Sequence, residues 1–370
     1  MSDLKIPFFN YPLLFAQRKK EYLRVLENVH SKGAFIMQQE LKDFESELCN
    51  FLNVKYAFGV ADGTMAILTS LMAAGIKKGD EVILPAHTFV ATAAAIHHTG
   101  AKPVLADCNR EHLIDPDSIN ERITNKTKAI VPVQLNGRIC DMDKIMNIAE
   151  KNNLLIVEDS CQAFGATYKG RFAGTFGKAG TFSFFPAKTL GCFGDGGAVI
   201  TNDDHIAKKV EMLRDHGRDQ KTGKVKTYGF NSRLDNVQAA ILSVKLKYYE
   251  CDIKVRRDLA KIYHDRLRDI SKIELPPEPD SKQHFDVYQN YEIEADDRDN
   301  LRKFLQDKGI GTIMQWGGFM LNNFDDLGLD CSLDFTDILQ NRYLMLPMHH
   351  MLKKEEVNYI CDQIESFYNN

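Results

Sequence analysis

The chain has 370 residues, of which 44% are hydrophobic and 26% are charged, so it is long enough for one large domain and a smaller one. Its 47 Lys and Arg residues against 51 Asp and Glu residues leave a net charge of −4, which argues against binding nucleic acid through bulk positive charge. No apolar stretch reaches the ~20 residues of a membrane span, and the 8 cysteines are scattered without a CxxC pair, so we expect a cytoplasmic protein with reduced thiols and no metal site.

Short apolar or β-branched runs alternate with helical patterns over the first two thirds of the chain. The runs predict strands at residues 55–60, 81–85, 103–107, 128–133, 154–159, 181–185 and 198–201. Helices are predicted at residues 63–74, 88–98, 141–151 and 203–214. Because several of the strands are apolar throughout, we expect a large three-layer α/β domain with a mostly parallel central sheet.

The pattern changes after about residue 235. It predicts helices at residues 234–248 and 252–269, a strand at 291–294, a helix at 298–308, a strand at 311–316 and a helix at 353–367. These elements describe a smaller α+β domain. We therefore expect two domains, at residues 1–245 and 246–370.

Lys188 is the first candidate for chemistry. It follows the predicted strand 181–185 and precedes a glycine-rich stretch, and Lys178 and Asp195 are its only close charged neighbours in sequence. Ligands of open α/β sheets bind beyond the carboxyl ends of the strands. A buried lysine there loses its proton easily and attacks carbonyl groups, although a solvated surface lysine is an equal alternative.

Asp159 ends the apolar strand 154–159, where a carboxylate is costly unless it meets a cation or several donors. The alternative is an ordinary cap for the segment that follows. Gln162, three residues later, could donate a hydrogen bond to an anionic oxygen near the same point.

Gly63 and Thr64 open a predicted helix, and free N–H groups at a helix start favour a phosphate. Ser183 adds a hydroxyl at the same sheet edge, although an Asp-Gly turn before a helix is also common structure. Phe89, just after the strand 81–85, could cover a flat ring or belong to the core. We interpret the nearby His87 as structural.

All these features fall at the same end of the predicted strands. One ligand satisfies them together, because pyridoxal 5′-phosphate has an aldehyde, a ring nitrogen, a flat face and a phosphate.

Further stretches carry a resemblance to a known family. They are DGTMAI, GDEVILPAHTFVATAAAI, KAIVPVQLNGRICDMD, VEDSCQAFGATYKG, GTFSFFPAKTLGCFGDGGAVIT and GFNSRLDNVQAAIL. Through them the sequence resembles, over nearly its whole length, the fold type I, pyridoxal-phosphate-dependent sugar aminotransferases of the DegT/DnrJ/EryC1/StrS family.

The resemblance implies a role for each matched residue. Lys188 would form the Schiff base with the cofactor, Asp159 would pair with its ring nitrogen, and Gln162 would lie near its ring hydroxyl. Phe89 would stack on the ring, and Asn231 would reach the phosphate of the neighbouring subunit, which implies a homodimer with shared active sites. The remaining phosphate contacts would be Gly63, Thr64, Met65 and Ser183.

The resemblance also implies transfer of an amino group, usually from glutamate, to a nucleotide-linked 3-keto- or 4-keto-deoxysugar. Such products are amino sugars for surface polysaccharides. The chain departs from the family where Gln134 begins QLNG in place of His-Leu-Tyr-Gly, and where QWGG, which contains Trp316, replaces a His-Tyr-Pro-like run. The candidate substrate contacts are Gln134, Arg138, Arg218 and Trp316.

Alternatives to this function differ in substrate or in chemistry. The acceptor could be another ketone, such as a keto-cyclitol or a small phosphorylated ketone, or the chain could be a regulatory homologue without catalysis. A 3-dehydratase is disfavoured, because relatives of that kind replace the lysine at position 188 with histidine.

Overall fold

The computed structural model describes residues 4–279 and 281–369. Residues 1–3, 280 and 370, which the two predicted domains include, lie outside the described residues. The helices are α1 (Tyr11–Gln17), α2 (Lys19–Ser31), α3 (Gln39–Leu52), α4 (Gly63–Ala73), α5 (Val90–His98), α6 (Pro116–Arg122), α7 (Met142–Lys151), α8 (Asp204–Arg214), α9 (Asn236–Leu246), α10 (Tyr249–Leu267), α11 (Arg298–Asp307), α12 (Asp334–Leu339) and α13 (Lys354–Asn369). The strands are β1 (Tyr56–Val60), β2 (Glu81–Pro85), β3 (Lys102–Ala106), β4 (Thr127–Ile130), β5 (Leu155–Asp159), β6 (Thr167–Tyr168), β7 (Arg171–Phe172), β8 (Ala179–Ser183), β9 (Gly197–Thr201), β10 (Ile273–Glu274), β11 (His284–Phe285), β12 (Tyr291–Ala295) and β13 (Tyr343–Leu346).

A seven-stranded sheet with the order β1-β9-β8-β5-β4-β2-β3 forms the centre of the larger part of the molecule. Strand β9 runs antiparallel to both of its neighbours, and the other neighbouring pairs are parallel. Strands β2 and β9 are buried along almost their whole length, as expected for strands covered on both faces. The prediction of a mostly parallel central sheet is confirmed.

Helices cover the two faces of this sheet and make two apolar cores. Along β2, Ile83 belongs to one core, whereas Val82 and Leu84 belong to the other, because successive side chains of a strand point to opposite faces. The first core includes side chains of α3, α7 and α9, and the second includes side chains of α4, α5 and α8. This arrangement is the predicted three-layer domain.

A three-stranded antiparallel sheet, β10-β12-β13, lies in the C-terminal part. Its core joins Ile293 and Leu344 of the sheet to Leu259 of α10, Leu301 of α11 and Ile360 of α13. This is the α+β unit that the sequence predicted.

Each part of the chain also contributes to the other core. Ile6, near the start of the chain, packs in the C-terminal core, and Leu321 and Leu333 pack against α4 and the central sheet. The division between residues 245 and 246 stays a prediction.

The predicted strand at residues 311–316 is wrong. Ile313 forms only a single bridge to Met345, and the chain then turns from Gln315 to Gly318. Trp316, Gly317 and Gly318 have φ angles of 54°, 78° and 92°, a left-handed conformation that a strand does not allow.

Candidate active site

Strands β1, β2, β5 and β8 run in the same direction and end at one edge of the central sheet, beside a cavity of about 440 Å³. This volume is typical of small-molecule sites. The residues predicted from the sequence that line the cavity are Gly63, Thr64, Phe89, Asp159, Gln162, Ser183, Lys188 and Trp316.

Asp159, the last residue of β5, is buried, and its carboxylate accepts hydrogen bonds from neutral donors. Thr92 Oγ1 donates to Oδ2 at 2.8 Å, and the N–H of Cys161 donates to Oδ1 at 3.2 Å. Because Thr92 gives its proton to Asp159, the Thr88 hydroxyl, 2.9 Å away, donates to Thr92. Neutral donors stabilise a carboxylate without cancelling its charge, so Asp159 is able to pair with a cation in the cavity.

Lys188 lies in the turn after β8 and is partly buried in the cavity wall. Burial lowers the pKa of its ammonium group, and the neighbouring Cys161 and Asp159 oppose this effect, but the pKa remains below its ordinary value. A lysine with a lowered pKa has a larger fraction of neutral amine, which is the nucleophilic form.

One side chain of the C-terminal part holds the backbone on both sides of Lys188. Gln289 Oε1 accepts from the N–H of Thr189 at 2.7 Å, and Gln289 Nε2 donates to the carbonyl of Ala187 at 2.8 Å. Gln289 is itself buried. It therefore positions the lysine although it does not touch the amine.

The start of α4 lies against the end of β8. A Cβ atom added at Gly63 would lie 2.9 Å from Ser183 Cβ and 3.0 Å from Cys161 Sγ, so only glycine fits here without a shift. Thr64 and Ser183, which both carry hydroxyl groups, also line the cavity. Met65 does not line it, and its N–H donates at 2.8 Å to Asp62, which caps the helix.

Two aromatic rings lie at the mouth of the cavity. Phe89, which lines the cavity, is 50% exposed. Its ring centroid lies 6.1 Å from that of Trp316, at an angle of 31°. These rings could cover a flat ligand.

Besides Met65, four other predicted residues lie outside the cavity lining. Gln134 is fully buried, and its amide donates to Glu158 at 2.9 Å, so this predicted substrate contact is directed into the protein. Arg138 is ion-paired with Glu111 and Asp286 at 3.0 and 2.7 Å. Arg218 and Asn231 lie in the segment between α8 and α9, and Asn231 is exposed.

The sequence analysis missed several cavity residues and their supports. Thr92 lies in the first turn of α5, and Thr88 lies four residues earlier, just before the helix. Two hydroxyl residues close to a predicted helix start are a signal that could have revealed them. Cys161 lies between Ser160 and Gln162, and nothing in this sequence context distinguishes it from the other scattered cysteines. Nothing local in the sequence connects Gln289 with Lys188.

His87 belongs to a buried group that was also missed. His87, His112 and Glu292 offer ligand-type atoms within 4.8 Å of one another, a geometry that could hold a metal ion. His112 already contacts two carboxylates, since Nδ1 lies 2.9 Å from Glu292 and Nε2 lies 3.2 Å from Glu294. The positive charge of His112 is therefore balanced by the carboxylates of Glu292 and Glu294.

The residues around the cavity fit pyridoxal phosphate. The close approach of Gly63 and Ser183 forms a narrow cradle at a helix start, which suits a phosphate. The Asp159 carboxylate, which is paired with neutral donors only, suits a protonated ring nitrogen. Lys188 is the amine that would meet the aldehyde.

Comparisons with known proteins agree with this geometry. The sequence model of the DegT/DnrJ/EryC1/StrS aminotransferase family matches residues 16–365. The chain is 38% identical over 99% of both chains to a "pleiotropic regulatory protein" of Geobacillus stearothermophilus. It is 36% identical, over 93% of this chain and 94% of the relative, to dTDP-3-amino-3,4,6-trideoxy-alpha-D-glucose transaminase of Micromonospora megalomicea subsp. nigra.

Solved structures share the whole fold. DesV of S. venezuelae, solved in complex with a ketimine intermediate, superposes with a TM-score of 0.94 at 32% identity and 99% coverage of both chains. NtdA of Bacillus subtilis, solved with the bound cofactor PMP, has a TM-score of 0.92 at 32% identity, over 100% of this chain and 86% of its own.

Within the residues that the structure describes, no helix has the length and apolar character needed to cross a membrane. The match over almost the whole sequence and the common fold confirm the resemblance: this chain belongs to the DegT/DnrJ/EryC1/StrS aminotransferase family and is a pyridoxal-phosphate-dependent enzyme.

Proposed function

We propose that this aminotransferase moves an amino group from glutamate to a nucleotide-linked keto-deoxysugar, with the keto group at C3 or C4. One observation carries the proposal. A lysine with a lowered pKa, a buried carboxylate and a glycine-containing helix start converge on one cavity of about 440 Å³.

The cavity residues would each have a separate chemical role. When bound, pyridoxal phosphate supplies an aldehyde that condenses with amines and a ring that accepts electrons from a neighbouring C–H bond. Asp159 would hold a proton on the ring nitrogen by its negative charge. Lys188, as a neutral amine, would take the proton from the Cα atom of the amino donor and deliver it to the cofactor carbon that carried the aldehyde. The start of α4 and Ser183 would bind the phosphate.

The acceptor class is supported by the relatives and by the cavity. The Micromonospora relative is named as a transaminase of a dTDP-linked 3-amino sugar. Trp316, whose ring centroid lies 6.1 Å from that of Phe89, gives an apolar surface against which a sugar or base can stack, while Phe89 would cover the cofactor ring. The product would be an amino sugar for a lipopolysaccharide or another surface polysaccharide.

A regulatory role is the second candidate, because the Geobacillus relative is named as a regulatory protein. A regulator without catalysis needs neither Lys188 nor the hydrogen bonds that hold Asp159. A different ketone as acceptor is also compatible with the cofactor-binding residues.

The test uses purified protein reconstituted with pyridoxal phosphate. We expect a visible absorbance band that bleaches with glutamate, and borohydride reduction followed by peptide mapping should place the label on Lys188. A mass-spectrometric screen of nucleotide-linked 3-keto and 4-keto sugars should then find the amino product, and Lys188→Ala should abolish it. A protein that binds the cofactor but aminates none of these sugars would contradict the acceptor class, and one that binds no cofactor would favour a regulator.

The proposal includes a homodimer with shared active sites. Asn231 is exposed and does not line the cavity of its own chain. The same segment carries Tyr228 and Val225, which are 97% and 63% exposed, so two large apolar side chains of this segment face solvent in the single chain and could contact another subunit. We also propose a cytoplasmic location, which agrees with the free state of all 8 cysteines.

A further inference from the structure

A chain of hydrogen bonds leads from Gln162, in the cavity wall, to Glu292, outside the cavity lining. Gln162 Nε2 lies 3.2 Å from Gln315 Oε1, and Gln315 Nε2 donates to Glu292 Oε2 at 3.0 Å. By a second route, the N–H of Asn136 donates to Gln162 Oε1 at 2.9 Å, and Asn136 Nδ2 donates to Glu292 Oε1 at 3.0 Å. We call these four residues the Glu292 network.

The carboxylate of Glu292 sets the orientation of the side-chain amides of Asn136 and Gln315. An ionised carboxylate only accepts hydrogen bonds, so the NH₂ groups of Asn136 and Gln315 must face Glu292. The carbonyl oxygen of Gln315 is then directed at Gln162, which must present its own NH₂ group to it. The backbone N–H of Asn136, which can only donate, favours the same orientation of Gln162, so Glu292 sets the side-chain amides of Asn136 and Gln315 in the one orientation that agrees with it.

The orientation of Gln162 leaves one donor for the cavity. Its Oε1 already accepts from the N–H of Asn136 and from Asn290 Nδ2, at 2.9 and 3.2 Å. Its Nε2 carries two hydrogens, of which Gln315 takes one. The other N–H is available to a ligand in the cavity.

Glu292 is well supported as an anion. It is 2% exposed, and the imidazole of His112 lies 2.9 Å from its Oε1. Its oxygens also accept hydrogen bonds from Asn136 Nδ2 and Gln315 Nε2, each at 3.0 Å. Several donors on one buried carboxylate stabilise its ionised form.

We propose that Glu292 is a positioning residue that acts through Asn136 and Gln315, holding Gln162 with an N–H directed at the ring oxygen of the cofactor. The inference rests on the proposed function, since it needs pyridoxal phosphate in this cavity. A donor at that oxygen favours its anionic form over its protonated form. Glu292 therefore influences the electronic state of the cofactor without touching it.

The test compares Glu292→Gln with Glu294→Gln. Both changes remove one charge beside His112, but Glu294 contacts His112 and Arg342 and is not bonded to the amides of the Glu292 network. In Glu292→Gln the new amide can donate, so the amides of Asn136 and Gln315 are no longer held in one orientation, and Gln162 loses the fixed acceptor that Gln315 Oε1 gives it. We expect a changed ratio of the two absorbance bands of the bound cofactor, a shifted midpoint in their pH titration, and cofactor binding about two- to tenfold weaker. Glu294→Gln should leave all three readouts as in the wild type.

A double-mutant cycle separates positioning from a general loss of structure. Gln162→Leu removes the donor itself, so adding Glu292→Gln to it should change the spectrum no further. Additive effects would overturn the inference. If Glu292→Gln does not fold, Gln315→Met breaks the same route and should reproduce the spectral change of Gln162→Leu.

The outcomes also distinguish this inference from the proposed function. A wild-type protein that takes up no pyridoxal phosphate overturns both. A wild-type protein that binds the cofactor through Lys188, with a spectrum unchanged by Glu292→Gln, overturns the inference alone.

Discussion

Gln289→Met is the change that most directly tests how the fold positions the catalytic lysine. Methionine keeps the length and volume of the side chain but removes both hydrogen bonds, to the N–H of Thr189 and to the carbonyl of Ala187. Gln289 is 4% exposed, so water reaches its site poorly. The two backbone groups beside Lys188 are therefore left without their partners.

The magnitude follows from these two groups. A polar group left unsatisfied in a buried site costs about 1–3 kcal/mol. Because Ala187 and Thr189 are themselves only partly buried, we take the lower part of the range and expect a loss of about 2–4 kcal/mol in the free energy of unfolding. The released turn also lets the amine move, and a displacement of roughly 1 Å can reduce turnover about a hundredfold.

The assays are urea unfolding of the cofactor-free protein and steady-state transamination. Gln238→Met is the matched control, because Gln238 Oε1 accepts a single backbone bond, from Phe193 at 2.8 Å, away from the lysine. It should lose about half as much stability as Gln289→Met and retain turnover. The reasoning is refuted if Gln289→Met unfolds within about 0.5 kcal/mol of the wild type, or if both variants lose the same fraction of turnover.

Other predictions concern the phosphate cradle, the buried histidine and the dimer. Gly63→Ala places a methyl group 2.9 Å from Ser183 Cβ, so cofactor affinity measured by absorbance titration should fall about tenfold or more, with little change if the cradle does not hold the phosphate. Burial lowers the pKa of His112, but its two carboxylate partners raise it to about 9, so its stabilising contribution is complete below its ordinary value near 6.5 and is lost as the pH rises through 9. His112→Gln should thus cost about 3 kcal/mol near pH 6 and almost nothing near pH 10 in urea unfolding, and a cost that is independent of pH would contradict the charged pair. Finally, inactive Lys188→Ala and Asn231→Ala proteins, unfolded and refolded together, should recover about a quarter of the wild-type rate if sites are shared between subunits, and none if they are not.

The sequence predicted the central sheet well because its strands are defined by local patterns. The predicted strand 81–85 agrees with β2, Glu81–Pro85, and the predicted strand 154–159 differs from β5 by one residue. The turn at residues 315–318 was missed because its two glycines follow an apolar run that also suits a strand. The small strands β6, β7, β10 and β11 have only 2 residues each, too few for any period to appear.

What the sequence determined by itself is the set of groups at the ends of strands. Lys188, Asp159, Gly63 and Ser183 follow or end apolar runs, and in a mostly parallel sheet such positions must meet at one edge. That argument needs only periodicity and direction.

Only the tertiary structure decided where side chains beyond the strands point. Gln134 and Asn136 are two residues apart, yet Gln134 bonds to buried Glu158 while Asn136, with a φ of 56°, reaches Glu292. Gln289 likewise meets the turn of Lys188 from another part of the chain. The direction of each of these side chains is set by the loop conformation and by hydrogen-bond partners that are distant in the sequence. Such partners meet only in the folded chain, so they leave no local sequence pattern.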